Sequence, residues 1–567
     1  MELSQQPYVG YIVISRETPV RENRVHANIT DDSIKVGDIV SIVTYEGNPI
    51  AIGVITKLEV YSIIDTFEHA SLSIEGSKWQ KATKPHLFRK ATIDILMMLE
   101  DFSLSEAYAI KLPTKSDIEI LWKRLIPDNK KRILAGFLKG YELIPAYYHA
   151  DFLIGPEGAH LNIGGISGLA AKTSYLRFLI YSLLEYMEKA NEEIYIVVFN
   201  VKRLDFLGLH NIPENLQLLS EYMNIWGKKI GYDEKVLQSY EKMYEYIFNV
   251  ICNYKNNIKY YTYKDDRYRN NYEFMYNPQI YLYGFQDLGL EGLIAGLFEE
   301  EDEASVLQMN LISKIVSEVV ESNTTISLSD LRNILNCLRW RTNPQQRTVS
   351  LPSQLERICN NIYQEASPDR KTIEAVIRRF DGFLGRAKHI IDEKHSTSSP
   401  IRAEGFIKGV NVIQLYGLND VEKRVIVTSV ISDILRYAEE SQRRGENRAF
   451  IIIMDELNKY APTARSPVKK ALIEVAARGR DLRVSLFGAE QFPSDIDNQV
   501  LGNTGTLVIG RMSQIELEDR IYRVYGELKN ITDGLGKGEI LVHHPIYYRP
   551  LMLLFPPPLN VIIRESK

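Results

Sequence analysis

The sequence predicts an α/β protein: a parallel sheet with a small β-barrel before it and a largely helical insertion within it. Three observations predict this. Residues 161–165 (LNIGG), 194–200 (IYIVVFN), 410–416 (VNVIQLY), 449–455 (AFIIIMD), 484–489 (VSLFGA) and 506–510 (TLVIG) are compact apolar runs without polar alternation. Strands covered on both faces have that composition, and they belong to parallel sheets. Amphipathic helical stretches lie between several of them, for example 172–190 and 419–441, which is α/β alternation. The first sixty residues carry four short Val/Ile-rich runs at 8–15, 24–29, 38–45 and 49–58, parted by turn residues, as in a small barrel.

The remaining elements follow in order. A charged, partly helical stretch is expected from about 80 to 135. Between 211 and 405 the β pattern gives way to helical periodicity, as in 305–320 and 370–387. Residues 232–283 hold thirteen tyrosines interleaved with Lys, Arg and Asn. Such rings can stack on bases, but the segment is not strongly basic, so packing through amphipathic rings is the expectation. Residues 395–400 (HSTSSP) read as a mobile loop, and the prolines at 556–558 open an extended tail. The resulting division is 1–150 for the barrel and connecting helices, 151–210 and 406–545 for the two parts of the core, 211–405 for the insertion and 546–567 for the tail.

The formal charge of −5 gives no whole-chain signature for nucleic acid. DNA binding would need a local basic surface, such as a pore lining. Cys252, Cys337 and Cys359 are widely spaced and without a CxxC pair, which argues against a disulfide framework and a zinc site. The first residues lack a basic segment followed by an apolar one, and no apolar run approaches the roughly 18 residues that span a bilayer. The expectation is a cytoplasmic protein with no membrane partner.

Gly164–Ser174 (GGISGLAAKTS) stands between an apolar strand and a helix. A phosphate loop needs inward N–H groups, hence glycines, with a helix N-terminus behind them. It also needs a lysine for the phosphates and a hydroxyl for Mg²⁺. Gly165, Ser167, Gly168, Ala171, Lys172, Thr173 and Ser174 are the candidate nucleotide-binding residues, with Thr173 also a metal ligand. The loop departs from G-x-x-x-x-G-K-[ST] by one extra residue between Gly165 and Lys172, and by Ala171 in place of glycine. If that position needs positive φ, alanine costs about 1 kcal/mol. Lys172 is expected to be an exposed loop group.

A second motif, Asp455–Glu456, closes the apolar run of 449–455. A buried strand-end carboxylate calls for a ligand. In P-loop motors the aspartate orients the Mg²⁺ shell and the glutamate polarises the attacking water. Downstream, Arg478, Arg480 and Arg483 precede a strand expected to end at Gln491. Gln491 can sense a γ-phosphate, and Arg480 or Arg478 can act as a finger across a subunit boundary. Lys469 and Lys470 are candidates for DNA contact.

The segments 151–175, 477–497 (ARGRDLRVSLFGAEQFPSDID) and 535–542 (LGKGEILV), with the Asp-Glu strand, resemble HerA-type ATPases, hexameric relatives of the FtsK translocases. The opening barrel is similar to the one that precedes the motor in that family. The resemblance implies a RecA-like core, ATP and Mg²⁺ as cofactors, and a homohexamer around double-stranded DNA. It also implies a partner, either a nuclease or a sirtuin-like NADase effector. The lengthened AAKTS loop looks closer to the antiphage-defence branch. The alternatives are an ATP-gated scaffold that activates an effector with little translocation, and a substrate-remodelling ring.

Overall fold

The computed structural model describes residues 8–14, 19–21, 23–44, 46–62, 87–102, 107–139, 142–166, 172–254, 256–264, 273–300, 303–342, 351–462 and 466–566. Six strands close a barrel: β1 (Gly10–Ile12), β2 (Arg24–Ile29), β3 (Ile39–Thr44), β4 (Pro49–Ser62), β5 (Leu87–Met98) and β6 (Tyr108–Lys111), in the order β1-β2-β5-β4-β3-β6. Every pairing is antiparallel. Val25, Ala27, Ile42, Ile55, Ile93 and Ile110 fill it. The stretch expected to be charged and partly helical supplies β5 and β6, because its 92–98 run (TIDILMM) is apolar enough to complete the barrel wall. Among its described residues, only Lys115–Leu125 is a long helix.

Among the described residues the second sheet has twelve strands. They are β7 (Arg132–Lys139), β8 (Leu143–His149), β9 (Leu161–Gly164), β10 (Glu193–Asn200), β11 (Ile258–Thr262), β12 (Gln279–Ile280), β13 (Gly409–Gln414), β14 (Arg448–Asp455), β15 (Val484–Glu490), β16 (Thr506–Ile509), β17 (Glu539–His543) and β18 (Leu551–Leu554). Their order is β12-β11-β13-β10-β14-β15-β9-β16-β17-β18-β7-β8. From β12 to β16 the neighbours are parallel, and from β16 to β8 they are antiparallel. All six apolar runs of the sequence are strands of the parallel part. On β14, Ala449, Ile451 and Ile453 enter one core while Phe450, Ile452 and Met454 enter the other. Covering on both faces is why the run lacks polar alternation.

The helix Lys172–Ala190 that follows β9 is buried on nearly every side, as a helix apolar all round should be. Its Tyr175 hydroxyl donates to the carbonyl of Ala135 on β7 at 2.7 Å. The antiparallel arm of the sheet thereby holds the helix from outside. A strand within the parallel part, followed in the chain by a buried helix and preceded by the barrel, gives the α/β organisation expected from the sequence.

The insertion is no detached module. Its β11 and β12 extend the sheet, and its helix Phe285–Leu297 packs on the core helix Asp420–Arg443. Tyr240, Tyr244, Tyr260, Tyr261, Tyr263, Tyr281 and Tyr283 are buried, so the tyrosine-rich segment is largely core. Tyr268 and Tyr272 lie outside the described residues.

Cys337 and Cys359 form a disulfide between the helices Leu328–Arg341 and Ser353–Ala366. This corrects the reading of the cysteines. Their spacing resembles no motif, and they meet only because the two helices pack side by side.

Candidate functional site

Parallel α/β sheets bind ligands beyond the carboxyl ends of their strands, and there the charged groups gather. β15 lies between β9 and β14, so the start of the Gly-rich segment and the Asp-Glu turn are one strand apart. Glycine makes two approaches possible. A Cβ on Gly488 would lie 2.3 Å from Leu457, the residue that packs the Asp-Glu turn onto β15. One on Gly164 would lie 2.6 Å from Met512.

Thr173 and Asp455 meet, the Thr173 hydroxyl donating to Asp455 Oδ2 at 2.9 Å. Asp455 is 0% exposed. Its Oδ1 accepts the backbone N–H of Glu456 at 2.9 Å. Glu456 has φ +59°, a left-handed value that costs a non-glycine residue energy and recurs at functional sites. Its side chain is half-buried and pairs with Lys459 at 2.6 Å. A cleft of about 420 Å³ opens beside it, bordered by Asp420, Lys423, Arg424 and Lys459.

Lys172 is 5% exposed, which corrects the expectation of an exposed loop group. It is the first residue of its helix, and its stem lies beside Gly165, where a Cβ would sit 3.7 Å from Lys172 Cγ. Burial lowers its pKa below the usual lysine value, opposed by the charge of Asp455. Ser174, buried, continues the same helical turn. Gly165 donates its N–H to the carbonyl of Glu490 at 3.2 Å, which docks the start of the loop on β15. Ser167, Gly168 and Ala171 lie outside the described residues.

Three partners carried no motif. Lys202 follows β10 and donates to Asp455 Oδ2 at 2.7 Å, with Glu456 at 3.8 Å and Asp205 at 4.0 Å. Burial lowers its pKa, but attraction and hydrogen bonding to Asp455 outweigh that, and the net shift is upward. Its turn is pinned by Asn200, whose Oδ1 accepts from the Phe206 N–H at 3.0 Å, and by Arg177, which donates to the Leu204 carbonyl at 3.1 Å. Glu490 is the second. The strand expected to end at Gln491 ends at Glu490, 1% exposed, whose burial drives its pKa well above the usual carboxylate range. Gln491 is exposed just beyond. Lys459 is the third. The missed signal was Asn200-x-Lys202 at the end of a doubly buried strand, the same placement that made Asp455–Glu456 visible.

Thr173 and Asp455 supply a hydroxyl and a carboxylate oxygen, the hard donors that suit Mg²⁺, an ion usually held by few protein ligands plus phosphate. A cationic ammonium already rests at that carboxylate, so the residues fit the ion.

Arg478 and Arg480 are elsewhere. They lie on the helix Pro467–Leu482, next to the amino ends of β10, β14 and β15. Seven-residue β15 spans about 23 Å at roughly 3.3 Å per residue, so neither arginine reaches its own chain's site. Arg478 pairs with Glu474 at 2.8 Å and Glu439 at 3.4 Å, and Arg480 is largely exposed. Lys469 is buried and bonded to Asp497 at 2.9 Å, so it is not available to DNA, whereas Lys470 is exposed.

No protein-family model matches the chain, and no curated protein matches it either. Solved structures of similar architecture include the bacterial conjugative coupling protein TrwBΔN70, unbound form, at 12% identity over 78% of this chain and 92% of that one, TM-score 0.45. VirB4 of Thermoanaerobacter pseudethanolicus has 12% identity over 77% and 99%, TM-score 0.40. The genome packaging NTPase B204 from Sulfolobus turreted icosahedral virus 2, with sulfate, has 14% identity over 26% and 68%, TM-score 0.21. These are distant likenesses.

Proposed function

We propose that this chain is an ATP-hydrolysing motor that translocates double-stranded DNA as a homohexamer, in the manner of HerA-type ATPases, together with a nuclease or NADase effector. The observation that carries the reading is the Thr173–Asp455 hydrogen bond of 2.9 Å, made between residues of two separate motifs with Lys172 and Glu456 beside it. Gly165, Ser167, Gly168, Ala171 and Ser174 would line the phosphates with backbone and hydroxyl donors, and Lys172 would meet their charge. Thr173 and Asp455 would hold Mg²⁺, which neutralises charge on the phosphates. Glu456 accepts the proton of the attacking water, and Gln491 orients that water or the γ-phosphate. Arg480, or Arg478 in its place, serves the neighbouring subunit's nucleotide. Its distance from its own site supports that division.

Glu456→Gln tests the reading. The variant should keep nucleotide and DNA binding but hydrolyse ATP about 10²–10⁴-fold more slowly, the usual weight of a general base. Wild-type hydrolysis should rise with duplex DNA and displace a triplex-forming strand. An equally active Glu456→Gln reduces this residue to a turn former. ATP turnover without strand displacement favours the ATP-gated scaffold, and turnover indifferent to DNA favours a substrate-remodelling ring.

A further inference from the structure

Asp455 cannot stand alone. A fully buried carboxylate without a counter-charge is strongly unfavourable, yet the site must admit a divalent cation at this group. The chain resolves the conflict with its own cation. Lys202 and the Thr173 hydroxyl share a single oxygen, Oδ2, at 2.7 and 2.9 Å, and Glu456 is the next carboxylate along at 3.8 Å. The ammonium therefore stands between the two acids of the Asp-Glu turn.

We propose that Lys202 is the resident counter-ion of the metal seat, a displaceable positioning residue that must withdraw from Asp455 before a divalent cation can be held there. This rests on the P-loop reading above and gives the site a property that reading does not contain. Bare divalent metal has to compete with a tethered ammonium, so the nucleotide-free site resists it. A triphosphate arriving with its metal brings enough compensating charge and ligands to make the exchange favourable.

Two features fit a group that moves rather than a fixed strut. The Lys202 side chain is 35% exposed while Asp455 is closed to solvent, so the lysine has an open direction of retreat. Asp205, half-buried on the same turn at 4.0 Å, is a second carboxylate to receive it. The backbone of the turn is held by Asn200 and Arg177, which leaves the flexible stem of the lysine to make the change. Glu456 retains Lys459 as a separate partner at 2.6 Å, so loss of Lys202 would uncover Asp455 in particular.

The test uses Mn²⁺ alone as probe on the nucleotide-free full chain, with the free ion followed by electron paramagnetic resonance. Lys202→Met keeps the stem and removes the charge. It should bind Mn²⁺ about tenfold or more tightly than wild type, since one close positive charge is gone from a poorly solvated carboxylate. Lys202→Arg should stay near wild type. Adding Asp455→Asn to Lys202→Met should abolish the gain, which ties it to this seat. A folded Lys202→Met with unchanged or weaker Mn²⁺ binding overturns the proposal and leaves Lys202 a structural partner of Asp455. Lys202→Gln replaces the methionine variant if its melting curve shows loss of fold. Binding of a fluorescent ATP analogue to wild type is measured in parallel. No analogue binding combined with a gain of Mn²⁺ affinity sinks the P-loop reading alone. Normal analogue binding without the gain sinks the counter-ion alone.

Discussion

The two edges of the parallel sheet both gather charges and treat them in opposite ways. At the carboxyl edge Lys172, Asp455 and Glu490 are almost wholly withdrawn from water, and Lys202 and Glu456 partly so. At the amino edge a cleft of about 530 Å³ is lined by Lys130, Lys131, Arg448, Arg480 and Arg483 facing Asp151, Glu192 and Glu446. Its pairs, such as Lys131–Asp151 at 2.5 Å and Arg483–Glu192 at 3.0 Å, keep one or both partners in contact with solvent. Exposed pairs are worth little, because water competes for each charge. Buried charges have no such competitor, so one added ion or phosphate changes every partner's balance. Leverage over chemistry therefore sits at the carboxyl edge. The amino edge can act only where something else covers it, as the neighbouring subunit of the proposed ring would.

Breaking the carboxyl edge should have the largest effect. Lys172→Ala is expected to abolish ATP turnover and nucleotide binding, as read by phosphate release and by an equilibrium binding assay. Because the residue is buried, Lys172→Met should be made alongside, since it retains the packed stem. Near-normal turnover in either would mean that the lysine is no phosphate ligand.

The amino edge comes next. Arg480→Ala should lower ATP turnover by about 10³-fold, the lower end of what an arginine finger supplies. Mixing it with Lys172→Ala subunits should recover activity, because some boundaries then combine an intact P-loop with an intact arginine. Subunit exchange is verified first by mass. An inactive variant that mixing cannot rescue would argue for action within its own chain, against the 23 Å or so of intervening strand. Unchanged activity in Arg480→Ala would mark it as a surface charge, with Arg478 the next to test.

The smallest expected effect joins the two edges. His160 immediately precedes β9 and has φ +70°. Its Nδ1 accepts the N–H of Leu486 at 2.9 Å, and its Nε2 faces the Ala476 carbonyl of the arginine-bearing helix at 3.2 Å. Burial pushes its pKa down to about 4, so the folded chain holds the neutral ring. Its contribution is complete above pH 6.5 and is lost as pH falls from there towards 4. Denaturant titrations at pH 7 and 4.5 should differ by about 2–3 kcal/mol from this group. His160→Asn, which tolerates the left-handed backbone, should be weaker at pH 7 and flatter with pH. An unchanged slope would assign the acid sensitivity to other buried groups such as His544.

By itself the sequence determined the parallel strands, the barrel and the two motifs. Apolar runs such as 449–455 have few ways to satisfy burial, and a strand-end Asp-Glu is conspicuous against them. The same logic missed β5 and β6 and the strands at the far ends of the sheet, whose moderate apolar content becomes decisive only when neighbours cover it. Tertiary structure alone decided which charges meet. Lys202 is 253 residues from Asp455, Cys337 reaches Cys359 across packed helices, and Arg480 is sent to the opposite edge from the residues it follows in sequence. Each depends on which strands become neighbours. Strand order is a property of the whole assembled sheet, since local patterns state that a segment will be buried but not beside what.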